Sequence, residues 1–184
     1  MKKIFYVLIV VVLLFIGFIG FTYSYEYNDG VTLKFELIGD SSMYMGVGEQ
    51  YKEFGVNVYI DGEKINSLVN IKSDLDVNKI GKYVVRYEVE IGGVIEYITR
   101  NIYVVDTIAP TIKLRGDDVV YINQGDMYFE DGYDIVDNYN SLDECNVTVV
   151  NNVDVSKQGE YFVSYIVRDT SGNEGMVTRK VIVQ

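Results

Sequence analysis

The chain has no histidine and no tryptophan, and it contains a single proline and a single cysteine. Without histidine it cannot form a Ser-His-Asp or Cys-His catalytic arrangement, an imidazole general base or a zinc site of the usual kind. No glycine-rich Gly-x-Gly-x-x-Gly loop stands before a helix to hold a phosphate. These absences predict that the protein is not an enzyme and needs no cofactor, with Ca²⁺ as the one ion left open.

The single cysteine, Cys145, cannot form an internal disulfide, so packing and hydrogen bonds must hold the fold together. No histidine or flanking basic residue lowers its pKa, and we interpret it as a small, partly buried residue without a redox role. A reactive free thiol is the alternative interpretation.

Acidic residues outnumber basic ones, and the formal net charge is −11. An acidic surface of this kind repels nucleic acid and anionic lipid head groups. The composition therefore excludes nucleic acid as a partner and favours cationic partners or divalent metal ions.

An unbroken apolar run covers residues 4–21 and follows Lys2 and Lys3. At about 1.5 Å per residue, a helix of this length is near the minimum that spans a bilayer core of about 30 Å. The lysines mark the cytoplasmic end, so residues 1–25 are predicted to be an uncleaved signal anchor with a transmembrane helix. The alternative is a cleaved signal peptide, which would make the protein secreted.

One strand pattern, Gly-x-Tyr-x-Val-x-Tyr, occurs twice. Residues 159–167 alternate so that Tyr161, Val163 and Tyr165 share one face, and residues 81–89 repeat the arrangement. The abundance of tyrosine, valine and isoleucine also suits strands. An all-β fold is therefore predicted.

Other landmarks recur at a spacing of 77 to 79 residues. The pairs are Gly39 and Gly116, Tyr44 and Tyr121, Gly48 and Gly125, Tyr51 and Tyr128, Gly55 and Gly132, Gly81 and Gly159, Tyr87 and Tyr165, and Arg100 and Arg179. A coincidence over so many positions is implausible, so the chain is predicted to contain two tandem domains, residues 31–106 and 110–184.

The two copies differ in their turns. The first has Asp61-Gly62, which predicts a tight hairpin turn with positive φ angles, whereas residues 131–138 of the second form an acidic loop. Such variation of loops on a constant strand frame is typical of surface modules.

Three segments of the second copy resemble a known family: residues 159–165, the turn 169–173 and the strand 179–183. They are similar to the bacterial immunoglobulin-like domains that occur in tandem on Gram-positive surface proteins and in crystal-toxin relatives. The joint 105–110 and the strand 112–116 resemble the linker and first strand of those arrays. The resemblance implies two antiparallel β-sandwiches, of which the first lacks the Asp-x-x-Gly-Asn turn and has Phe54 where the second has Asp131.

Antibody-type domains place a tyrosine near the start of strand F, two residues before the second core cysteine, and its hydroxyl bonds to the neighbouring backbone. Tyr161 and Tyr83 occupy that place here, with Val163 and Val85 where the cysteine would be. We expect the Tyr161 hydroxyl to make such a hydrogen bond.

The acidic residues Asp131, Asp134, Asp137 and Asp169 are candidate Ca²⁺ ligands, because Ca²⁺ takes six to eight hard oxygen ligands in flexible geometry. Their spacing is not that of an EF-hand. Asp106, at the joint between the copies, is a second candidate, where a bound cation could stiffen the connection. Solvated loop acids and Asx turns are the alternative.

These features predict a non-enzymatic, membrane-anchored extracellular module for surface adhesion or envelope interaction, single-pass in the cell membrane. Its expected partners are the membrane, through the N-terminal helix, and a cell-envelope polysaccharide or surface protein. One alternative is a polysaccharide- or peptide-recognition domain, which would act through the loops of the second copy. Another is a calcium-stiffened structural spacer.

Overall fold

The computed structural model describes residues 7–15, 18–26 and 30–184, and the side chains of Thr22, Ser24 and residues 30–184. The chain divides into two compact units, Met1–Val105 and Asp106–Gln184, which we call the first and second domains. Both domains are built from β-strands, with short 3₁₀ turns at Asn66–Leu68 and Leu142–Glu144.

The first domain contains two sheets. Its strands are β1 (Val7–Phe15), β2 (Phe18–Glu26), β3 (Thr32–Leu37), β4 (Ser42–Gly46), β5 (Val56–Ile60), β6 (Glu63–Lys64), β7 (Asn70–Ser73), β8 (Gly81–Ile91) and β9 (Val94–Val105). One sheet has the order β1-β2-β3-β5-β6 and the other β4-β9-β8-β7. All pairings are antiparallel except β4 with β9. As predicted, the β5–β6 hairpin turns at Asp61 and Gly62, which have positive φ angles.

The second domain repeats this plan with fewer strands. They are β10 (Thr111–Leu114), β11 (Val119–Ile122), β12 (Tyr133–Val136), β13 (Asn146–Asn151), β14 (Gly159–Arg168) and β15 (Glu174–Val183). Strands β10 and β12 pair with each other, and the second sheet has the order β11-β15-β14-β13, with β11 parallel to β15. The shared β-strand plan confirms the prediction of two all-β, immunoglobulin-like domains in tandem.

The apolar N-terminal run is not the transmembrane helix that its length predicted. Val7–Phe15 and Phe18–Glu26 form an antiparallel pair, β1 and β2, and β2 pairs in turn with β3. Valine and isoleucine dominate β1, and such β-branched residues favour the extended backbone of a strand. Residues 1–6 and 16–17, which belong to the same predicted helix, lie outside the described part of the chain.

Among the described residues, no helix has both the length and the hydropathy that a membrane span requires.

Alternating side chains from both sheets fill the core of each domain. In the first domain, Phe35 and Val58 of one sheet pack in the same buried cluster as Val85 and Tyr87 of the other. In the second domain, Val163, Tyr165 and Val181 form the buried centre. The inward face predicted for the repeated strand is therefore confirmed. Tyr83 and Tyr161, the tyrosines near the start of this strand in each copy, are only half-buried.

Each domain also buries an arginine between its sheets. Arg100 of β9 is fully buried, and its guanidinium donates to the carbonyls of Ile38 (2.7 Å) and Gly55 (3.4 Å) beside β3 and β5. The Glu53 carboxylate lies 3.9 Å from the same guanidinium. Tyr87 donates its hydroxyl proton to this carboxylate. The arginine therefore joins the two sheets of the first domain.

The second domain repeats the contacts of the arginine with the corresponding carbonyls and glutamate, whereas the hydrogen bond of Tyr87 has no counterpart at Tyr165. Arg179 of β15 is fully buried and donates to the carbonyls of Arg115 and Gly132. Its Nε lies 3.0 Å from Oε1 of Glu130, and the Tyr128 hydroxyl donates to the same carboxylate. The arginine, glutamate and tyrosine thus form one structural unit that the duplication kept twice.

The environment of Glu53 keeps it charged at neutral pH. Burial alone would raise its pKa, but hydrogen bonds from Tyr87, from the Gly55 N–H and from Tyr51, together with the charge of Arg100, hold the pKa below its usual value. Burial and the hydrogen bond to Glu53 raise the pKa of Tyr51 to about 12. The glutamate is therefore the acceptor and the tyrosines stay protonated donors.

We expect Arg179→Met to lower the free energy of unfolding of the second domain by about 3 kcal/mol, because Glu130 would lose its buried counter-charge. Urea unfolding of the full chain, followed by circular dichroism, measures the loss. Arg168→Met is the matched control, since Arg168 forms an exposed ion pair with Glu174 (2.6 Å) and should cost less than about 1 kcal/mol. Equal losses in the two variants would contradict a structural role for the buried arginine.

The backbone hydrogen bond expected for the Tyr161 hydroxyl is present. The hydroxyl donates to the carbonyl of Lys157 at 3.0 Å, and the Tyr83 hydroxyl donates to the carbonyl of Lys79 at 2.8 Å. Tyr161→Phe should therefore cost about 1 kcal/mol, the usual net value of one hydrogen bond. Tyr121→Phe serves as the control, because Tyr121 is exposed on β11. A thermal midpoint that is the same for Tyr161→Phe as for wild type would refute this contribution.

Candidate metal centre

Three aspartates from separate parts of the second domain converge at one of its ends. Asp106 precedes β10, Asp137 follows β12 and Asp169 follows β14. One carboxylate oxygen from each lies within 4.8 Å of the other two. We call these three residues the acid cluster. Strand pairing explains the convergence, because Thr111 at the start of β10 pairs with Val136 at the end of β12.

Asp106 is buried, with 7% of its surface exposed. Its Oδ1 accepts hydrogen bonds from the backbone N–H of Ile108 and from Nδ2 of Asn138, both at 3.1 Å. Its Oδ2 is buried and has no hydrogen-bond partner. The hydrogen bonds to Oδ1 thus orient the carboxylate, and Oδ2 is left available to bind a ligand.

Asp137 has the same division between its oxygens. Oδ2 accepts from the backbone N–H groups of Tyr139 (3.0 Å) and Asn140 (2.8 Å), which is an Asx turn. Oδ1 is buried and has no hydrogen-bond partner. The turn therefore orients the carboxylate while it leaves one oxygen unused.

Asp169 is 5% exposed and is held by a single residue of its own turn. Asn173 donates its backbone N–H to Oδ1 (2.8 Å) and its side-chain Nδ2 to Oδ2 (2.7 Å). The same Nδ2 also lies 3.3 Å from the carbonyl oxygen of Asp106. The Asp-Thr-Ser-Gly-Asn turn thus connects two members of the acid cluster.

A further amide contact joins the loop after β12 to the loop after β14. Asn140 is buried, and its Nδ2 donates to Oγ1 of Thr170 at 2.9 Å. Asn138, Asn140 and Asn173 therefore act as neutral donors and connectors around the acid cluster. The loops are positioned without any positively charged side chain.

The charge of the acid cluster is uncompensated among the described residues, because none of their ion pairs includes Asp106, Asp137 or Asp169. Two ionised carboxylates about 5 Å apart repel each other by about 3 kcal/mol at an effective dielectric constant of about 20. Burial strengthens this repulsion because it excludes the water that would screen the charges. The arrangement is suited to a hard divalent cation.

Two of the predicted ligands, Asp131 and Asp134, lie outside the acid cluster. Asp134 pairs with Arg115, which donates to it from Nη2 at 2.6 Å, and this hydrogen bond lowers the pKa of Asp134. Asp131 lies 3.7 Å from the Arg179 guanidinium. Both carboxylates face an arginine instead, because Asp131 precedes β12 whereas Asp137 follows it, and alternation along β12 turns Asp134 away from Asp137.

Asp106 was expected to be a separate candidate at the joint between the copies. Instead, the structure places it with Asp137 and Asp169 in the second domain. Its neighbours could not be read from a chain separation of more than 30 residues. The signal that was available is that two of the family-like segments, the joint and the Asp-x-x-Gly-Asn turn, each contain one of these acids.

Cys145 lies near the acid cluster and fits the interpretation of a non-reactive thiol. Partial burial, followed by the negative charges of Asp137, Asp169 and Glu144, raises its pKa. The thiol therefore stays protonated at neutral pH, and a protonated thiol is a poor nucleophile.

Among the described residues of the first domain, no group of acids corresponds to the acid cluster. The strand register that aligns the two domains places Ile60 where the second has Asp137, and Ile91 where it has Asp169. Both isoleucines are partly buried and pack against the hydrophobic core. The same end of the fold is thus apolar in one copy and acidic in the other.

Close backbone packing supports this end of the second domain. Gly175 at the start of β15 approaches Pro110 so tightly that a Cβ atom there would lie 2.0 Å from the Pro110 carbonyl oxygen. The segment between Asp106 and β10 is therefore pressed against the β14–β15 hairpin, where only glycine fits.

We expect Gly175→Ala to lower the free energy of unfolding by about 1–3 kcal/mol, because the added methyl group must displace the Pro110 backbone. Gly159→Ala is the control, since a Cβ at Gly159 would meet the Tyr161 ring at 3.5 Å, an ordinary van der Waals distance. Urea unfolding compares the two variants. A loss no larger for Gly175→Ala than for Gly159→Ala would refute the requirement for glycine.

A family model described as a bacterial surface protein Ig-like domain matches the chain twice, at residues 35–104 and 112–183. No curated protein matches it. Among solved structures, a crystal structure of a lipoprotein from Bacteroides thetaiotaomicron aligns with 16% sequence identity and a TM-score of 0.38, and covers 79% of this chain and 98% of the lipoprotein.

Proposed function

Because the chain belongs to the family of Ig-like domains of bacterial surface proteins, we propose that it is a non-enzymatic module of the cell surface. Its role is to hold or present a binding surface outside the membrane, for adhesion or for interaction with the cell envelope. The observation that carries this proposal is the family match over both domains.

The N-terminal sequence supports export. Two lysines precede the apolar run of residues 4–21, which is the charge layout of a signal anchor or a signal peptide. We propose that this segment directs the chain across the membrane, where it either remains as a tether or is removed. Stability without a disulfide suits either outcome, because packing and the buried arginines need no oxidising compartment.

The acidic surface and the duplicated sandwich fit the same role. A net charge of −11 keeps the chain soluble and limits non-specific contact with anionic envelope lipids. Each domain is a closed sandwich whose loops can vary without loss of the core. The module is therefore suited to presenting a binding surface rather than to catalysing a reaction.

Localisation in a Gram-positive host tests the proposal. We expect full-length protein with a C-terminal epitope tag to be found in the membrane or medium fraction, and the tag to be removed by protease added to intact cells. Mass spectrometry of the mature N-terminus then distinguishes a tethered chain from a released one. A tag that stays in the cytosol and resists protease until lysis would refute a surface role.

A second candidate is recognition of a polysaccharide or peptide by the loops of the second domain. The observation that favours it is the loop between β11 and β12, where Met127 and Phe129 are both more than 70% exposed. Exposed apolar and aromatic side chains of this kind are frequent in binding surfaces. Retention of the protein by purified cell walls, and its loss in Phe129→Ala, separate recognition from simple presentation.

A further inference from the structure

Hydrogen bonds orient the carboxylates of the acid cluster, but no ion pair among the described residues neutralises their charge. Asp106 Oδ2 and Asp137 Oδ1 are buried and have no hydrogen-bond partner, although the other oxygen of each carboxylate accepts two hydrogen bonds. A buried polar atom without a partner is costly and usually marks an absent ion or water. These two oxygens are therefore free to bind a ligand, and one carboxylate oxygen of each aspartate in the cluster lies within 4.8 Å of the other two.

We propose that Asp106, Asp137 and Asp169 bind one Ca²⁺ ion that fastens three loops at this end of the second domain. The inference goes beyond the surface role and stands on the geometry of this domain alone, so either can fail without the other.

The distances fit calcium. Ca²⁺ binds oxygen at about 2.3–2.6 Å, so two oxygens on the same ion can be at most about 5 Å apart. The three carboxylate oxygens satisfy this limit at their present separation of no more than 4.8 Å. Mg²⁺ binds at about 2.0–2.1 Å in a strict octahedron and would require the acids to move closer together.

The chemistry of the donors points to the same ion. The acid cluster offers hard carboxylate oxygens and no imidazole, and the only cysteine is a protonated thiol nearby. Zinc and other transition metals prefer nitrogen or sulfur ligands. Two positive charges on the ion would offset most of the three negative charges that the described residues leave without a counter-ion.

The surrounding amides act as the outer support of the ion. Asn138 and Asn173 hold Asp106 and Asp169, and the contact between Asn140 and Thr170 joins the loops that follow β12 and β14. Outer hydrogen bonds of this kind orient metal ligands and are needed for affinity. We expect a dissociation constant of about 10⁻⁴ to 10⁻³ M, the range of extracellular calcium modules.

The first domain provides an internal comparison. Ile60 and Ile91 fill the places of Asp137 and Asp169 and pack against the core. The described residues of that domain offer no comparable group of acids, and we expect only the second domain to respond to calcium.

Calorimetric titration of Ca²⁺ into chelator-treated full-length protein, together with thermal unfolding, tests the proposal. We expect one ion per chain and, at a Ca²⁺ concentration about tenfold above the dissociation constant, a rise in the unfolding midpoint of about 5–10 °C. Sodium chloride of matched ionic strength should not reproduce this rise. The absence of binding heat and of any midpoint shift would overturn the proposal.

The variant Asp137→Asn makes the test specific. The amide keeps an oxygen for the Asx turn but removes one of the repelling charges. We therefore expect a higher midpoint than wild type in chelator, and no further rise with Ca²⁺. Asp134→Asn is the matched control, since Asp134 pairs with Arg115 on the neighbouring strand and should leave calcium binding unchanged. A full calcium response in Asp137→Asn, or its loss in Asp134→Asn, would overturn the assignment.

Discussion

The buried arginine is the interaction on which both sandwiches depend. Arg100 and Arg179 lie among apolar residues on the inward face of the last strand of each domain, where an unpaired charge would be costly. Two backbone carbonyls beside the opposite sheet accept from each guanidinium and one glutamate supplies the counter-charge, while Nε of Arg100 has no hydrogen-bond partner. Because the guanidinium is planar and its donors point in fixed directions, it also fixes how the ends of β3 and β5, or of β10 and β12, face the other sheet. A disulfide would join two points, whereas this contact aligns a strand and two loop ends.

The regular strands could be predicted from the sequence because alternation is a local property. Tyr165 and Val167 of β14 need only their own neighbours to show which face they share. Arg179 was visible only as a repeated landmark, since a charged residue suggests an outward position unless its register is followed along β15 to Val181 and Val183. The N-terminal run has no alternation, so its length favoured a helix. Its β-branched composition is the signal that agrees with the strands β1 and β2.

The candidate site shows the limit of arguments from chain proximity. Asp131 and Asp134 stand close to Asp137 in sequence, and both meet arginines instead. Asp131 lies before β12 and Asp137 after it, and alternation along the strand sends Asp134 to the opposite face. Asp106 and Asp169 are far from Asp137 in the chain and adjacent to it in space. What brings them together is the pairing of β10 with β12 and the close packing of Gly175 on Pro110, and neither contact is encoded in any single segment. Residue type could suggest which acids were candidates, whereas the strand topology determines which of them lie together.

The duplication also explains why an acid cluster can exist at all. A sandwich that already holds its sheets together through a buried arginine does not need the loops at its end for stability, so these loops can change without loss of the fold. In the first domain they close with Ile60 and Ile91, which contribute hydrophobic burial under all conditions. In the second domain they close with three carboxylates, whose mutual repulsion makes that end depend on the surrounding solution. The proposed calcium site therefore implies that the chain joins one domain whose stability is independent of divalent cations to one whose stability responds to them.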